Sequence, residues 1–298
     1  MSRDGSTTGS GERVERAARG LLPVSGQKDE VISTLRKLKK APGRHKEGLY
    51  MVEGAELCRR ALRYGAQLES LVCTEGFASS EEGRELLASL PSACLAYVAH
   101  QGLIAKALES KPTPPCVGLA RLEITPSEAL ISAEAVERGA LWVGVDEGEL
   151  ADNLGMLLRS AEASAVEGVL LGNGTVDPFG RKVVRGSRGA VFSLKMAIEP
   201  DLLSAVQAAK ALGVQVITTS ANTSALYTEV DFTKPTLFIV GNEHRGVRPA
   251  LVEESDQCVT IPMLGQINSL NISVAASVVL FEANRQRAAR AQGREGQG

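Results

Sequence analysis

The side chains best placed for chemistry in this 298-residue sequence lie near its C-terminus, between a short apolar strand and an apolar helix. The intervening loop is rich in glycine and amide residues, and Ser269 and Asn271 directly precede the predicted helix. The first backbone N–H groups of a helix have no partner within it, so they are free to bind a polar ligand. We therefore predict a ligand site at this helix N-terminus.

Two upstream segments contain residue types that could join that site. Asn153 lies at the start of a predicted helix, and Arg159 follows six residues later, about 600° further around the helix axis. Alone, this pair could equally be a helix cap and a surface arginine. Glu243 lies in a glycine-flanked turn after an apolar strand, where α/β proteins bind ligands. An ordinary strand-to-helix turn is the alternative.

Positive charge is concentrated in residues 28–64, which contain ten Lys and Arg against five Asp and Glu, although the whole sequence has a net charge of −2. A local basic face of this kind is typical of phosphate binding. A solvated helix face is the alternative. Including a second cationic segment near residue 181, the predicted nucleic-acid contacts are Arg36, Lys37, Lys39, Lys40, Arg44, Lys46, Arg181 and Arg185.

The elements that must position these residues fall into two regions of alternating strands and helices. Residues 28–123 are predicted to form a small α/β domain, and residues 124–139 a linker with a short helix. Residues 140–290 are predicted to form a second domain, with a parallel sheet covered on both faces. The polar residues 1–27 are predicted to be a disordered leader, and residues 291–298 a flexible tail.

Several classes of protein are excluded by what the sequence lacks. The five cysteines are scattered and the three histidines lie far apart, so neither a disulfide framework nor a metal site is predicted. There is no secretory signal and no apolar run of about 18 residues, and we expect a cytoplasmic protein. No P-loop occurs, and Asp177 stands where a dinucleotide-binding motif needs its third glycine, which disfavours an oxidoreductase.

Taken together, three motifs in this order resemble the SpoU/TrmH family of RNA ribose methyltransferases, within the SPOUT superfamily. The motifs are Asn153-Leu-Gly with Arg159, IVGNEHRG at 239–246, and IPMLGQINSLNISVAAS at 261–277, and RGSRGAVF at 185–192 also fits. The resemblance covers residues 140–287. Residues 29–120 are similar to the ribosomal-protein-like substrate-binding domain fused to some members.

The resemblance implies a parallel α/β domain with a trefoil knot, acting as a homodimer in which the last helix contributes to the interface. It implies an S-adenosylmethionine site formed by Thr219, Gly241, Ile261, Met263 and Leu270. The implied catalytic group is Asn153, Arg159, Glu243, Ser269 and Asn271. Arg159 could act as the base, but a guanidinium is a poor proton acceptor, so gripping a phosphate and orienting the hydroxyl is an equally sound role.

The activity implied by the resemblance is methyl transfer from S-adenosylmethionine to a ribose 2′-hydroxyl of RNA, with 23S ribosomal RNA as the expected substrate. A tRNA 2′-O-methyltransferase and a non-catalytic RNA-binding or ribosome-assembly protein are the alternatives. Two segments depart from the family pattern. Ala151-Asp152 replace the usual proline, and His244-Arg245 stand where smaller or varied residues are common. Both departures bear on target choice more than on activity.

Overall fold

The computed structural model describes residues 20–220 and 222–295, which divide into two compact units. Unit 1 comprises the described residues up to Leu122 together with Phe179–Arg185. Unit 2 comprises Glu123–Pro178 and the chain from Gly186 onward. No helix within the described ranges combines the length and the apolar character needed to cross a membrane.

Unit 1 contains a mixed sheet of five strands. The strands are β1 (Leu22–Pro23), β2 (Leu49–Glu53), β3 (Leu68–Thr74), β4 (Leu95–Ala99) and β5 (Cys116–Arg121). They lie in the order β1-β4-β3-β5-β2. β4 is parallel to β1 and β3, whereas β5 runs antiparallel to both of its neighbours. This is the predicted N-terminal α/β unit.

Six helices of unit 1 connect these strands: α1 (Glu30–Lys37), α2 (Ala41–Glu47), α3 (Ala55–Arg63), α4 (Glu75–Ser79), α5 (Glu81–Ala88) and α6 (Gln101–Leu108). Apolar residues at helical spacing bring Ile32 and Leu35 of α1 and Ile104 and Leu108 of α6 into one cluster, with each side chain at most 1% exposed. Burying each such side chain stabilises the fold by about 1.5–3 kcal/mol. The buried stripe of α1 leaves its cationic residues on the opposite, exposed face.

Unit 2 contains a sheet of six parallel strands. They are β6 (Leu141–Val145), β7 (Gly168–Gly172), β8 (Lys195–Glu199), β9 (Gln215–Thr219), β10 (Thr236–Val240) and β11 (Gln257–Val259). Their order is β11-β9-β10-β6-β7-β8, so the chain adds β7 and β8 on one side of β6 and β9, β10 and β11 on the other. The strand order therefore reverses between β6 and β10, and ligands bind at such a switch point in open α/β sheets.

The helices of unit 2 are α7 (Ser127–Leu130), α8 (Ala133–Glu137), α9 (Ala151–Ala163), α11 (Leu202–Ala211), α12 (Pro249–Glu254) and α13 (Ile272–Glu295), and α10 (Arg181–Gly186) spans the boundary between the units. Every residue of β6, β7 and β10 is buried, as expected for parallel strands covered on both faces. Trp142 is fully buried in β6, and its indole N–H donates to the Leu130 carbonyl at 3.0 Å.

Two predicted boundaries at the chain ends need correction. Residues 1–19 of the predicted leader lie outside the described residues, but Leu22 is paired with Tyr97, so the ordered unit begins before residue 28. Helix α13 continues to Glu295, so the predicted tail from 291 is helical where it is described. Residues 296–298 lie outside the described part. In both places helix or sheet pairing satisfies backbone groups of a polar segment that has no apolar pattern of its own.

The predicted linker 124–139 also needs correction. It forms α7 and α8 and contributes Leu130, Ile131 and Ala135, none more than 4% exposed, to the core of unit 2. Three apolar side chains in a short segment were too few to reveal this burial by periodicity. The α/β class is confirmed, with a parallel sheet following an N-terminal α/β unit. The trefoil knot stays a prediction.

Candidate functional site

The site is built from two loops that leave neighbouring strands on either side of the switch point. One loop follows β6 and leads into α9, and the other follows β10 and turns back at Gly246. The Asn242 and Gly246 backbones exchange hydrogen bonds of 3.0 and 2.9 Å, which closes a tight turn. A Cβ on Gly241 would lie 2.0 Å from the Gly246 backbone, so only glycine fits there.

Glu243 caps the N-terminus of α9 from the other loop. Its carboxylate accepts hydrogen bonds from the backbone N–H groups of Glu149 and Leu150, at 3.2 and 3.1 Å. Leu150, the N-cap residue, has no side chain that could do this. A negative charge at this position also interacts favourably with the helix dipole. The turn after β10 therefore fixes where α9 begins.

A chain of side-chain hydrogen bonds runs from this carboxylate to the N-terminus of α13. Asn153 donates its amide N–H to Glu243 at 2.9 Å, and Asn271 donates to the Asn153 side-chain oxygen at 2.8 Å. The Ser273 hydroxyl donates to the Asn271 side-chain oxygen at 2.6 Å. An ionised carboxylate can only accept, so it dictates the orientation of each amide in turn. The three sequence motifs thus meet in one directed chain.

Two opposing effects act on the pKa of Glu243. Burial acts to raise the pKa, whereas the hydrogen bonds from Asn153 and from the backbone of the two loops act to lower it. The hydrogen bonds prevail, and the pKa lies below the usual value for a glutamate. The carboxylate is therefore charged at neutral pH and is a poor proton acceptor. This supports a positioning role for Glu243.

The same two loops are joined by an ion pair and by hydrogen bonds that the sequence did not reveal. Asp146 is fully buried and accepts from the Arg248 backbone N–H at 2.9 Å and from its Nε at 2.7 Å. Asn242 donates to the Glu147 carbonyl and to the Glu149 carboxylate, at 2.9 and 3.0 Å. The sequence contains acidic residues just after β6 and arginines in the β10 loop, and this charge pattern could have indicated the contacts between the two loops.

Arg159 and Ser269, two of the five predicted catalytic residues, lie outside the directed chain. Arg159 is exposed on α9, and Ser269 is exposed in the loop before α13. Within residues 20–220 and 222–295, neither side chain has a hydrogen-bond or ion-pair partner. Helices α9 and α13 nevertheless pack together, and the Ser160 and Ser277 hydroxyls are 2.7 Å apart.

The residues predicted to bind the cofactor lie at the carboxyl edge of three adjacent strands. Thr219 ends β9, Gly241 follows β10, and Ile261 and Met263 follow β11. Leu270 closes the loop before α13. From Ile261 to Leu270 no backbone group is hydrogen-bonded within the described chain. Unpaired N–H and C=O groups beside half-buried apolar side chains fit the polar edge and apolar face of an adenosyl group.

The predicted RNA contacts separate into available and occupied cations. Lys37 pairs with Glu47 at 2.8 Å, Lys39 pairs with Glu109 at 2.5 Å, and Arg36 donates to a backbone carbonyl. Lys40, Lys46 and Arg185 are exposed, and within the described residues their side chains have no hydrogen-bond or ion-pair partner.

Two of the predicted RNA contacts are engaged within unit 1. Arg44 is only 5% exposed and donates to the Leu38 carbonyl at 2.8 Å, so its prediction as an RNA contact is corrected. Burial of the α2 face that packs on the unit removes this guanidinium from solvent. Arg181 is half-buried and pairs with Glu53 within unit 1, so its charge is already compensated.

Metal binding has no structural support in the described part of the chain, where no three His, Cys, Asp or Glu side chains are clustered suitably. The candidate site contains side-chain amides, carboxylates and guanidinium groups.

Comparison with known proteins gives matches over both units. The model of the SpoU rRNA methylase family matches residues 140–281, and that of the MRM3-like substrate binding domain matches residues 29–101. A 23S rRNA (guanosine(2553)-2′-O)-methyltransferase, RlmP of Bacillus subtilis, is 29% identical over 87% of this chain and 97% of its own length.

Two further matches come from Streptomyces viridochromogenes. Its 23S rRNA (uridine(2479)-2′-O)-methyltransferase is 30% identical over 82% of this chain and 85% of its own length. The crystal structure of the SpoU methyltransferase AviRb, in complex with the cofactor AdoMet, superposes with a TM-score of 0.76. That structure is 26% identical, and the match covers 88% of this chain and 99% of AviRb.

Proposed function

This chain belongs to the SpoU rRNA methylase family, and we propose that it transfers a methyl group from S-adenosylmethionine to a ribose 2′-hydroxyl of 23S ribosomal RNA. The observation that supports this best is the directed chain from Ser273 through Asn271 and Asn153 to Glu243. It joins three motifs that are far apart in sequence at the switch point of a parallel sheet, beside the predicted cofactor loops.

The reaction forms a bond between the 2′-oxygen and the methyl carbon, breaks the bond from that carbon to sulfur, and releases the hydroxyl proton. S-adenosylmethionine supplies the methyl group as a strong electrophile. The protein contributes by placing the ribose hydroxyl in line with the methyl group, and such placement can account for a large part of a rate enhancement. Asn153 and Asn271 each use one of their two amide N–H groups in the directed chain of hydrogen bonds. The second N–H of each amide is suited to hold the ribose hydroxyls.

We place Arg159 in the reaction as a group that orients the substrate. It is an exposed guanidinium, and Met156, three residues earlier on the same face of α9, is 45% exposed. Val274 and Phe281 of α13, the helix that packs against α9, are 46% and 53% exposed, so both helices have exposed apolar side chains suited to a second copy of the chain. We propose a homodimer in which this face is buried and Arg159 grips a substrate phosphate near the partner's site.

The Arg159 assignment predicts a separation of catalysis from cofactor binding. Arg159→Ala is expected to nearly abolish methyl transfer to 23S ribosomal RNA, while affinity for S-adenosylmethionine changes by no more than a few-fold. Transfer would be measured with labelled cofactor and the modified ribose mapped on the RNA. Arg138→Ala is the control, because Arg138 pairs with Glu167 at the amino ends of β6 and β7, whereas the candidate site lies at the carboxyl ends. An Arg159→Ala enzyme with most of its activity would contradict the assignment.

The RNA-binding proposal assigns the initial contact to exposed cations of unit 1. Lys40 is the N-cap residue of the short helix α2, Lys46 lies in its last turn, and both are available for phosphates. Changing both to Gln should weaken RNA binding. The slope of log affinity against log salt should become less steep by about 1.4–1.8, or about 0.7–0.9 for each phosphate that is no longer neutralised. Lys37→Gln, which removes a cation already paired with Glu47, is the matched control and should change the slope less.

Two other functions are less well supported. A tRNA substrate fits the same chemistry, but the two curated relatives described above act on 23S rRNA by name. A non-catalytic assembly protein would not require the directed amide chain. Mapping 2′-O-methyl groups in ribosomal and transfer RNA from cells with and without the gene decides between these functions, and loss of a tRNA methyl group alone would overturn the 23S assignment.

A further inference from the structure

Arg245 lies in the turn after β10, next to the predicted catalytic Glu243, and the directed chain makes no use of it. Its guanidinium contacts two carboxylates of the other loop, Glu147 at 2.8 Å and Glu149 at 3.1 Å. The side chain is 67% exposed at the carboxyl edge of the sheet. An exposed arginine there could either bind an RNA phosphate or hold the two loops together.

We propose that Arg245 is a positioning residue: by holding Glu147 and Glu149, it fixes the loop whose backbone N–H groups orient Glu243. The inference rests on the proposed methyl transfer for its kinetic consequences, but its structural consequence can be measured without RNA.

Arg245 contacts Glu149, a residue whose own backbone N–H donates to Glu243. Glu149 and Leu150 supply the two N–H groups that Glu243 accepts, and the Glu149 carboxylate is a partner of Arg245. A shift of this residue would therefore move the first link of the directed chain. Asn153, which also donates to Glu243, lies only four residues further on.

The backbone of the loop that follows β6 has an unusual conformation that contacts to the β10 loop can maintain. Glu147 has φ of +57°, a left-handed conformation that residues other than Gly, Asn and Asp seldom adopt. Such a conformation persists only where the surroundings over-determine it. Here the Glu147 carbonyl accepts from Asn242 at 2.9 Å, and its carboxylate accepts from Arg245. The contacts to the β10 loop hold this residue in its strained form.

The negative charge around Arg245 also favours a role within the protein. Two carboxylates already compensate the Arg245 guanidinium, and a phosphate arriving there would meet both of them. These surroundings disfavour phosphate binding and favour the role within the protein. An exposed pair of this kind is worth little by itself, so the effect of removing it is expected to be modest and measurable.

The test compares Arg245→Met with Arg138→Met, since Arg138 is a similarly exposed, ion-paired arginine at the opposite edge of the sheet. Arg245→Met is expected to lower kcat about two- to fivefold, the range given by weak exposed ion pairs, with the KM for RNA within about twofold. Arg245→Lys should recover part of kcat. Arg138→Met should leave both constants unchanged.

A second arm removes the carboxylates in place of the cation. The double change Glu147→Gln with Glu149→Gln should lower kcat at least as much as Arg245→Met does, because it also removes the longer pair between Glu147 and Arg248 at 4.0 Å. Adding Arg245→Met to it should cost nothing more, because the double change has already removed both ion pairs of Arg245. The amide introduced at position 149 keeps a side-chain oxygen that can still accept from Asn242, so that hydrogen bond is retained. Additive losses would overturn the proposal.

Hydrogen exchange provides the readout that does not depend on activity. In the full-length protein without RNA, the amides of residues 147–150 should exchange faster in Arg245→Met and at the wild-type rate in Arg138→Met. Unchanged exchange in Arg245→Met would overturn the proposal. So would a raised KM for RNA with a reduced salt slope, because this outcome would make Arg245 a phosphate contact. A wild-type protein with no methyl transfer would instead refute the proposed function, and the exchange data would still decide the role of Arg245.

Discussion

Glu243 is a single carboxylate that orients the neighbouring polar side chains of the predicted site. It accepts three hydrogen bonds, from two backbone N–H groups and the Asn153 amide, and these outweigh burial so that its pKa lies below the usual range. Its charge orients Asn153, which in turn orients Asn271. The chemistry of the predicted site therefore depends on the protonation state of a residue that need not touch substrate.

Glu243→Gln is expected to lower the free energy of unfolding by about 1–2 kcal/mol at neutral pH, since hydrogen bonds to a partly screened charge are lost. Because the folded pKa is depressed, the wild-type advantage is present above the ordinary glutamate value of 4.5 and is lost as the pH falls through the folded pKa. Urea unfolding of both proteins across this range measures the difference. A gap that stays constant as the pH falls would contradict this prediction.

Helix α9 makes a close backbone approach at Gly155 that a larger residue would crowd. Gly155 is buried two residues after Asn153, and a Cβ there would lie 3.0 Å from the backbone of Gly186 and 3.2 Å from the N atom of Ser187. Backbone atoms yield less readily than the end of a flexible side chain. The Asn-Leu-Gly motif thus combines a site residue with the packing that holds its helix in place.

Gly155→Ala is expected to destabilise the protein by about 1–2 kcal/mol, because overpacking outweighs the gain in helix propensity. Methyl transfer should also fall, since α9 carries Asn153. Gly76→Ala is the control, because a Cβ on this helical glycine of α4 meets nothing within 4 Å, and it should be neutral or slightly stabilising. Thermal unfolding of both variants tests the prediction, and a stabilised Gly155→Ala protein would refute it.

At the scale of the whole molecule, the homodimer is the prediction with the widest consequences. The proposed interface contains exposed apolar residues of α9 and α13, and it includes Arg159. A second copy would bury this surface and bring a guanidinium to the directed chain of its partner. Dimerisation and catalysis should then be lost together.

Phe281→Glu is expected to weaken the dimer at least about 100-fold, since the burial of a phenylalanine is replaced by the burial of a charge. Sedimentation velocity measures the change, with methyl transfer assayed at the same concentrations. Leu212→Glu, which alters a 48% exposed leucine after α11, is the matched control and should leave the mass unchanged. A fully active monomeric Phe281→Glu protein would refute the link between the dimer and activity.

The sequence by itself determined the local features of this protein. Periods of apolar residues predicted the alternation of strands and helices, and the Asn153, Glu243 and Asn271 motifs predicted a shared site. These features are legible because hydrophobic periodicity and helix capping depend on residues a few positions apart. The family resemblance added the cofactor and the reaction, which no periodicity could supply.

The tertiary structure alone decided how distant residues meet. The position of β10 beside β6 brings residues about 90 positions apart within 3 Å, and this pairing places Glu243 at the start of α9. It also decided that Arg44 is buried while Lys46 remains exposed, and that Arg245 faces two carboxylates. Strand order and burial arise from contacts between segments distant in the chain, so a linear pattern of residue types does not contain them.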